Sequence, residues 1–124
     1  MTTGLAVALT TDREHYLPGG TIVAELRVVN RADREVVLRF TSGQRYDFIV
    51  EYENGGHAWR WAADRVFTQV LGEETLGPGR GELVYRERLP APTQPGRYRI
   101  TGMLTGANRR LSATVSVEVR TEAP

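Results

Sequence analysis

Apolar residues recur at every second position in segment after segment of this chain, the period of a strand with one buried face rather than of a helix. Leu5, Val7 and Leu9 open the series. Ile22, Ala24, Leu26 and Val28 continue it, then Val36, Leu38 and Phe40, then Tyr46, Phe48, Val50 and Tyr52. Leu83 and Tyr85 follow, then Tyr98, Ile100, Gly102 and Leu104. The last run, Leu111, Ala113, Val115, Val117 and Val119, alternates with Ser112, Thr114, Ser116 and Glu118. Turn residues separate the runs: Pro18-Gly19-Gly20, residues 30–33, Ser42-Gly43, Asn54-Gly55-Gly56, Pro78-Gly79, Pro95-Gly96 and residues 106–108. Only residues 62–71 leave room for a helical turn. The pattern predicts an all-β, two-sheet antiparallel sandwich of about seven to nine strands, with a closed barrel as the alternative. No composition shift or repeat divides the chain, so one domain is expected over residues 1–124, with loose ends at 1–3 and 121–124.

One hairpin is legible in more detail. Asn54-Gly55 suits a type I′ turn, which needs positive φ at both central positions and would pair Val50 with Trp59 and Phe48 with Trp61. A turn at Gly55-Gly56 would instead set Tyr52 opposite Trp59 and Val50 opposite Trp61. Either register puts both tryptophans on the face of Tyr46, Phe48, Val50 and Tyr52, so that face is read as an aromatic core.

Composition narrows the chemistry. A chain of 124 residues buries roughly two-thirds of its unfolded surface and needs no metal or disulfide to fold. The absence of cysteine excludes disulfides, thiolate catalysis and cysteine-based zinc sites. All 16 basic residues are Arg, which excludes a phosphate-binding P-loop lysine and lysine Schiff-base chemistry. A net charge of +1 with no basic stripe or acidic tail points to neither nucleic acid nor an anionic membrane as partner. The apolar run at residues 5–9 is too short for a signal core or a membrane span, and a cytoplasmic protein is expected. The oligomeric state is not legible.

No catalytic constellation stands out. Ser42, Ser112, Ser116, His15 and His57 fall in no nucleophile motif, and both histidines read as exposed turn residues. The run Asp12, Glu14, His15 matches no calcium or zinc spacing, so neither metal nor cofactor is expected. The glycine-rich stretch Gly77-Pro78-Gly79-Arg80-Gly81 reads as a turn. Trp59 and Trp61 would make a sugar-stacking platform only if they faced outward.

The segment Phe40-Thr41-Ser42-Gly43-Gln44-Arg45-Tyr46-Asp47-Phe48, followed by Trp59-Arg60-Trp61 and Phe67-Thr68-Gln69, closely resembles the BsuPI family of bacterial intracellular proteinase inhibitors. Leu76-Gly77-Pro78-Gly79 and Pro95-Gly96-Arg97-Tyr98 extend the likeness from about Val23 to Leu104; at Arg80 the chain departs from the Glu expected, with the acid displaced to Glu82. The resemblance implies an immunoglobulin-like sandwich that binds and blocks an intracellular subtilisin-like serine protease, and no enzymatic activity. A non-inhibitory accessory module, binding protein or carbohydrate, is the competing class. Tyr46, Phe48, Trp59, Trp61 and Phe67 are expected to fill the core, and Tyr98 to form a corner as tyrosines do in such sandwiches. Gln44 and Asp47 either bond to loop backbone or face a partner.

An inhibitor needs a loop stiff enough to avoid a large ordering cost on binding. Two segments qualify. In residues 88–95, Pro90, Pro92 and Pro95 stiffen the chain and Leu89, beside Ala91, offers an apolar side chain; these prolines equally suit a crossover between sheets. The other is Ala62-Ala63-Asp64-Arg65, directly after the Trp-x-Trp strand.

Overall fold

A computed structural model describes residues 4–79, 81–106 and 111–121, apart from the side chains of His57 and Ala58. The expected loose ends at 1–3 and 122–124, the departure at Arg80 and most of the turn at 106–108 lie outside the described residues. Ten strands occur among them: β1 (Leu5–Thr11), β2 (His15–Tyr16), β3 (Thr21–Asn30), β4 (Val36–Phe40), β5 (Tyr46–Tyr52), β6 (His57–Arg60), β7 (Gly72–Leu76), β8 (Glu82–Pro90), β9 (Gly96–Leu104) and β10 (Leu111–Val119). A single 3-10 turn, Trp61–Asp64, follows β6. Every alternating run in the sequence became a strand. The two strands the pattern did not announce are the short β2, which takes His15 out of the expected loop, and β7.

A three-stranded sheet, β1-β3-β8, faces a five-stranded one, β2-β10-β9-β5-β6, in which only β2 runs parallel to its neighbour. Between them Ile22, Ala24 and Leu26 of β3 and Leu89 of β8 meet Phe48 and Val50 of β5 and Tyr98 and Ile100 of β9, all fully buried. Where the sheets close, Gly102 leaves room for close packing: a Cβ there would lie 3.1 Å from Leu26 Cδ1 and 3.2 Å from both Leu9 Cδ1 and Phe48 Cε1, and these side chains would have to give by a few tenths of an ångström. The β4-β7 ribbon covers a second cluster, Val28, Leu38, Phe40, Leu76 and Leu104. This is the immunoglobulin-like sandwich that the alternation and the resemblance predicted.

The β5–β6 hairpin differs in its turn. No residue other than glycine has positive φ among the described residues, so Asn54 does not adopt the conformation of a type I′ turn. Gly55, at φ 102°, donates its N–H to Tyr52 O, and Tyr52 N–H reaches Gly56 O, the pattern of a type I turn followed by a glycine bulge. Val50 still faces Trp59, but the ladder shifts by one residue next to it, and Trp61 leaves the strand for the 3-10 turn instead of pairing with Phe48.

Asn30 ties the second cluster together. Its buried amide donates to Arg34 O at 2.9 Å, Leu76 O at 3.1 Å and Gly77 O at 3.0 Å, and its oxygen accepts Ala32 N–H at 2.9 Å. Asn30→Ala leaves these backbone groups without their partner and is expected to lower stability by about 2–3 kcal/mol, read as a lower urea midpoint at unchanged slope.

Candidate functional site

The family-like block lies at the root of an exposed segment. Gly43 N–H donates to Thr68 O at 2.8 Å, and a Cβ on Gly43 would sit 2.4 Å from Thr68 Oγ1, so glycine lets the two chains run side by side. Ser42 Oγ accepts Gln44 N–H, Gln44 Nε2 donates to Tyr46 O, and Thr105 Oγ1 donates to Gln44 O, which pins the link to the end of β9. Arg45 spans Glu74, at 3.0 Å, and the Phe40 ring, 4.4 Å from its guanidinium, and the bare backbone of Gly72 makes room for it.

Asp47 is fully buried and spends both oxygens internally. Oδ1 accepts Phe48 N–H at 2.9 Å and Ala62 N–H at 3.0 Å; Oδ2 accepts Arg60 Nε at 2.6 Å. The exit of β6 is thereby fixed over β5. Trp61 is 5% exposed and packs between Tyr46, at 4.8 Å, and Phe67, at 5.8 Å, with the Arg65 guanidinium 4.2 Å from its centroid and Arg65 Nε bonded to Trp61 O at 3.1 Å. Trp59 is half-buried against the same core, so the tryptophans form no sugar platform.

Beneath Trp61, Tyr46 stacks on Tyr85 at 4.5 Å and donates its hydroxyl to Glu87. Burial, then the bond to Glu87, raises the Tyr46 hydroxyl above its ordinary value; burial, with Glu74 adding, pushes Tyr85 up to about 12. Tyr85 Oη and Trp61 Nε1 are buried without a hydrogen-bond partner among the described residues.

Held at these points, residues 63–71 run outside the sandwich. Ala63, Asp64 and Arg65 are exposed, Val66 is 97% exposed, and Val70 and Leu71 stand 66% and 78% exposed. Sequence reasoning found the start of this segment but passed over Val66, Val70 and Leu71. Their signal was present: large apolar residues outside any alternation, in a stretch with no strand period.

The proline-rich segment is a different object. Leu89 lies opposite Ile22 in β8 and is fully buried, and Ala91 is 3% exposed with its N–H on Gly20 O. The expectation that Leu89 and Ala91 offer side chains to a protease is therefore overturned. Withdrawing Leu89 from the core would cost about 2–3 kcal/mol, roughly a hundredfold in affinity, before any contact formed. Pro90 is exposed but closes the β8 ladder against Thr21; Pro92 is half-buried and accepts Gly19 N–H; Tyr98 donates its hydroxyl to Gln94 O, the expected corner. This crossover sits where β9 begins, whereas residues 63–71 root near Leu104, where β9 ends, about 25–30 Å away along the strand.

No group of three or more His, Cys, Asp or Glu gathers as metal ligands among the described residues. Asp12 accepts from Tyr16 Oη at 2.6 Å and Val23 N–H at 3.0 Å, and His15 lies 3.7 Å from Glu118. No helix among the described residues is long and apolar enough to cross a membrane.

A family model described as BsuPI, intracellular proteinase inhibitor, matches residues 9–109. No curated protein matches the chain. Among solved structures, the CARDB domain of the PF1109 protein from Pyrococcus furiosus is 24% identical with a TM-score of 0.57, the match covering 96% of each chain. The sporulation control protein Spo0M from Bacillus subtilis is 13% identical with a TM-score of 0.57, over 99% of this chain and 51% of that one. The alkylpurine DNA glycosylase AlkC from Pseudomonas fluorescens is 16% identical with a TM-score of 0.56; the match covers 94% of this chain and 30% of the glycosylase. At these identities the likeness is one of fold.

Two outcomes test the site. Asp47→Ala strips Arg60 and the Ala62 N–H of their acceptor and is expected to lower stability by about 2–3 kcal/mol in urea, with Asp47→Asn closer to wild type because an amide oxygen still accepts. Tyr46 and Tyr85 release protons less readily in the fold than in the unfolded chain, whose tyrosines titrate near 10.0. Their stabilisation is therefore complete below that pH and is lost as pH rises through about 12, so tyrosinate absorbance should rise late and together with unfolding.

Proposed function

This chain belongs to the BsuPI family of intracellular proteinase inhibitors, and on that premise we propose that it inhibits a subtilisin-like serine protease by non-covalent binding, without catalysis of its own. The observation that carries the reading is the exposed segment 63–71, which presents Val66, Val70 and Leu71 and is held at its entry by Asp47 and at Phe67 and Thr68 by Trp61 and Gly43. Protease clefts bind extended backbone, and a segment already held in place loses little freedom when it enters one. Ala63, Asp64 and Arg65 lie on this segment and belong to the proposed contact. The chain acts as one domain over residues 1–124 and meets its target in the cytoplasm.

Titrating a purified subtilisin-like endopeptidase with the chain is expected to abolish peptidase activity stoichiometrically and reversibly, with no covalent adduct in the mass spectrum of the denatured mixture. Undiminished activity at about 10 µM of the chain, with retention on a glycan panel, would identify a non-inhibitory accessory module instead.

A further inference from the structure

Within segment 63–71, one position differs from its neighbours in a way that assigns it a task. Arg65 has extended backbone, φ −113° and ψ 150°, and turns its guanidinium back over Trp61. Phe67 also turns back, packing on Trp61, and Thr68 is fixed by its carbonyl on Gly43 N–H. Consecutive side chains of extended backbone point to opposite sides. With residues 65 and 67 both directed inward, Val66 projects outward between them and is 97% exposed. An aliphatic side chain presented this way gains nothing from its own fold.

Resting on the inhibitory reading above, we infer that Val66 is the side chain that enters the primary specificity pocket of the target protease, and that residues 65–68 lie along its cleft as a substrate would. The chemistry selects the class of target. An uncharged β-branched side chain gains by entering an apolar pocket, whereas a pocket built around a buried carboxylate would be left with an unpaired charge. Arg65, the adjacent cation that such a pocket would accept, is held by Trp61 through its Nε and its planar face. The partner is therefore a serine protease with an apolar primary pocket rather than one selective for basic residues. Val66 has only three side-chain carbons and one rotatable side-chain bond, so fixing it costs little entropy, and its neighbours are already pinned.

The test compares inhibition constants of the full chain and its variants against a purified subtilisin-like endopeptidase and against a trypsin-like one, using chromogenic peptides. Val66→Asp is expected to weaken inhibition of the subtilisin-like enzyme by about a hundredfold or more, and Val66→Ala by about tenfold, while Glu14→Ala, an exposed position beside β2 at the other end of the sandwich, changes it less than about threefold. Val66→Arg is expected to lose the subtilisin-like enzyme and gain the trypsin-like one. Thermal midpoints of all four variants should match wild type, since these side chains are largely in water. If wild type inhibits but Val66→Asp stays within about threefold of it, the assignment of Val66 is overturned while the inhibitory reading stands. If Val66→Arg leaves target preference unchanged, the pocket assignment is likewise overturned. If wild type inhibits neither enzyme, the reading and the assignment fall together.

Discussion

A carboxylate with no exposure to water organises one end of this molecule. Burying Asp47 unpaired would cost several kcal/mol, so the chain must bring donors to it, and the three it brings belong to different elements: Phe48 in β5, Arg60 at the end of β6 and Ala62 in the 3-10 turn. Satisfying Asp47 thus decides where the polypeptide leaves the five-stranded sheet. Trp61, between two of those donors, is drawn into the space above Tyr46, and its indole becomes the surface on which Arg65 and Phe67 fold back. The outward course of residues 63–71 follows from that one desolvated charge.

Most strands were legible because one face of each is apolar. Those that were not lack that asymmetry. In β7, Gly-Glu-Glu-Thr-Leu, only Leu76 is buried, and the strand exists because β4 supplies a ladder to join. The two-residue β2 is made by its parallel partner β10 rather than by its own residues. The proline segment was misread for a related reason. The inward series Leu83, Tyr85, Glu87, Leu89 continues to the end of β8, but Glu87 interrupts it with a charge whose partner, the Tyr46 hydroxyl, lies on another strand. A long-range hydrogen bond therefore hid the burial of Leu89.

At the site, the block from Ser42 to Phe48 and the Trp-x-Trp pair were recognisable as a family pattern, but not as parts with tasks. Gln44 and Asp47 were left between an internal and an external role, and both proved internal. Asp47 is paired with Arg60 and Ala62, 13 and 15 residues on, and the Gln44 carbonyl with Thr105, 61 residues on, pairings that spacing along the chain does not encode. The exposed apolar residues carried the opposite signal. Val66, Val70 and Leu71 belong to no period, and in a chain so regularly alternating that irregularity marked where folding stops dictating side-chain choice.

The roots of segment 63–71 and its tips answer to different demands. Gly43, Asp47 and Trp61 are each constrained by contacts at 2.6–5.8 Å, so substitution there disturbs the frame. Val66, Val70 and Leu71 are exposed and lie outside the buried clusters, so exchanging them leaves folding nearly untouched. A scaffold divided in this way is evolvable: the exposed side chains can be exchanged one by one while the architecture that displays them stays fixed by its own packing.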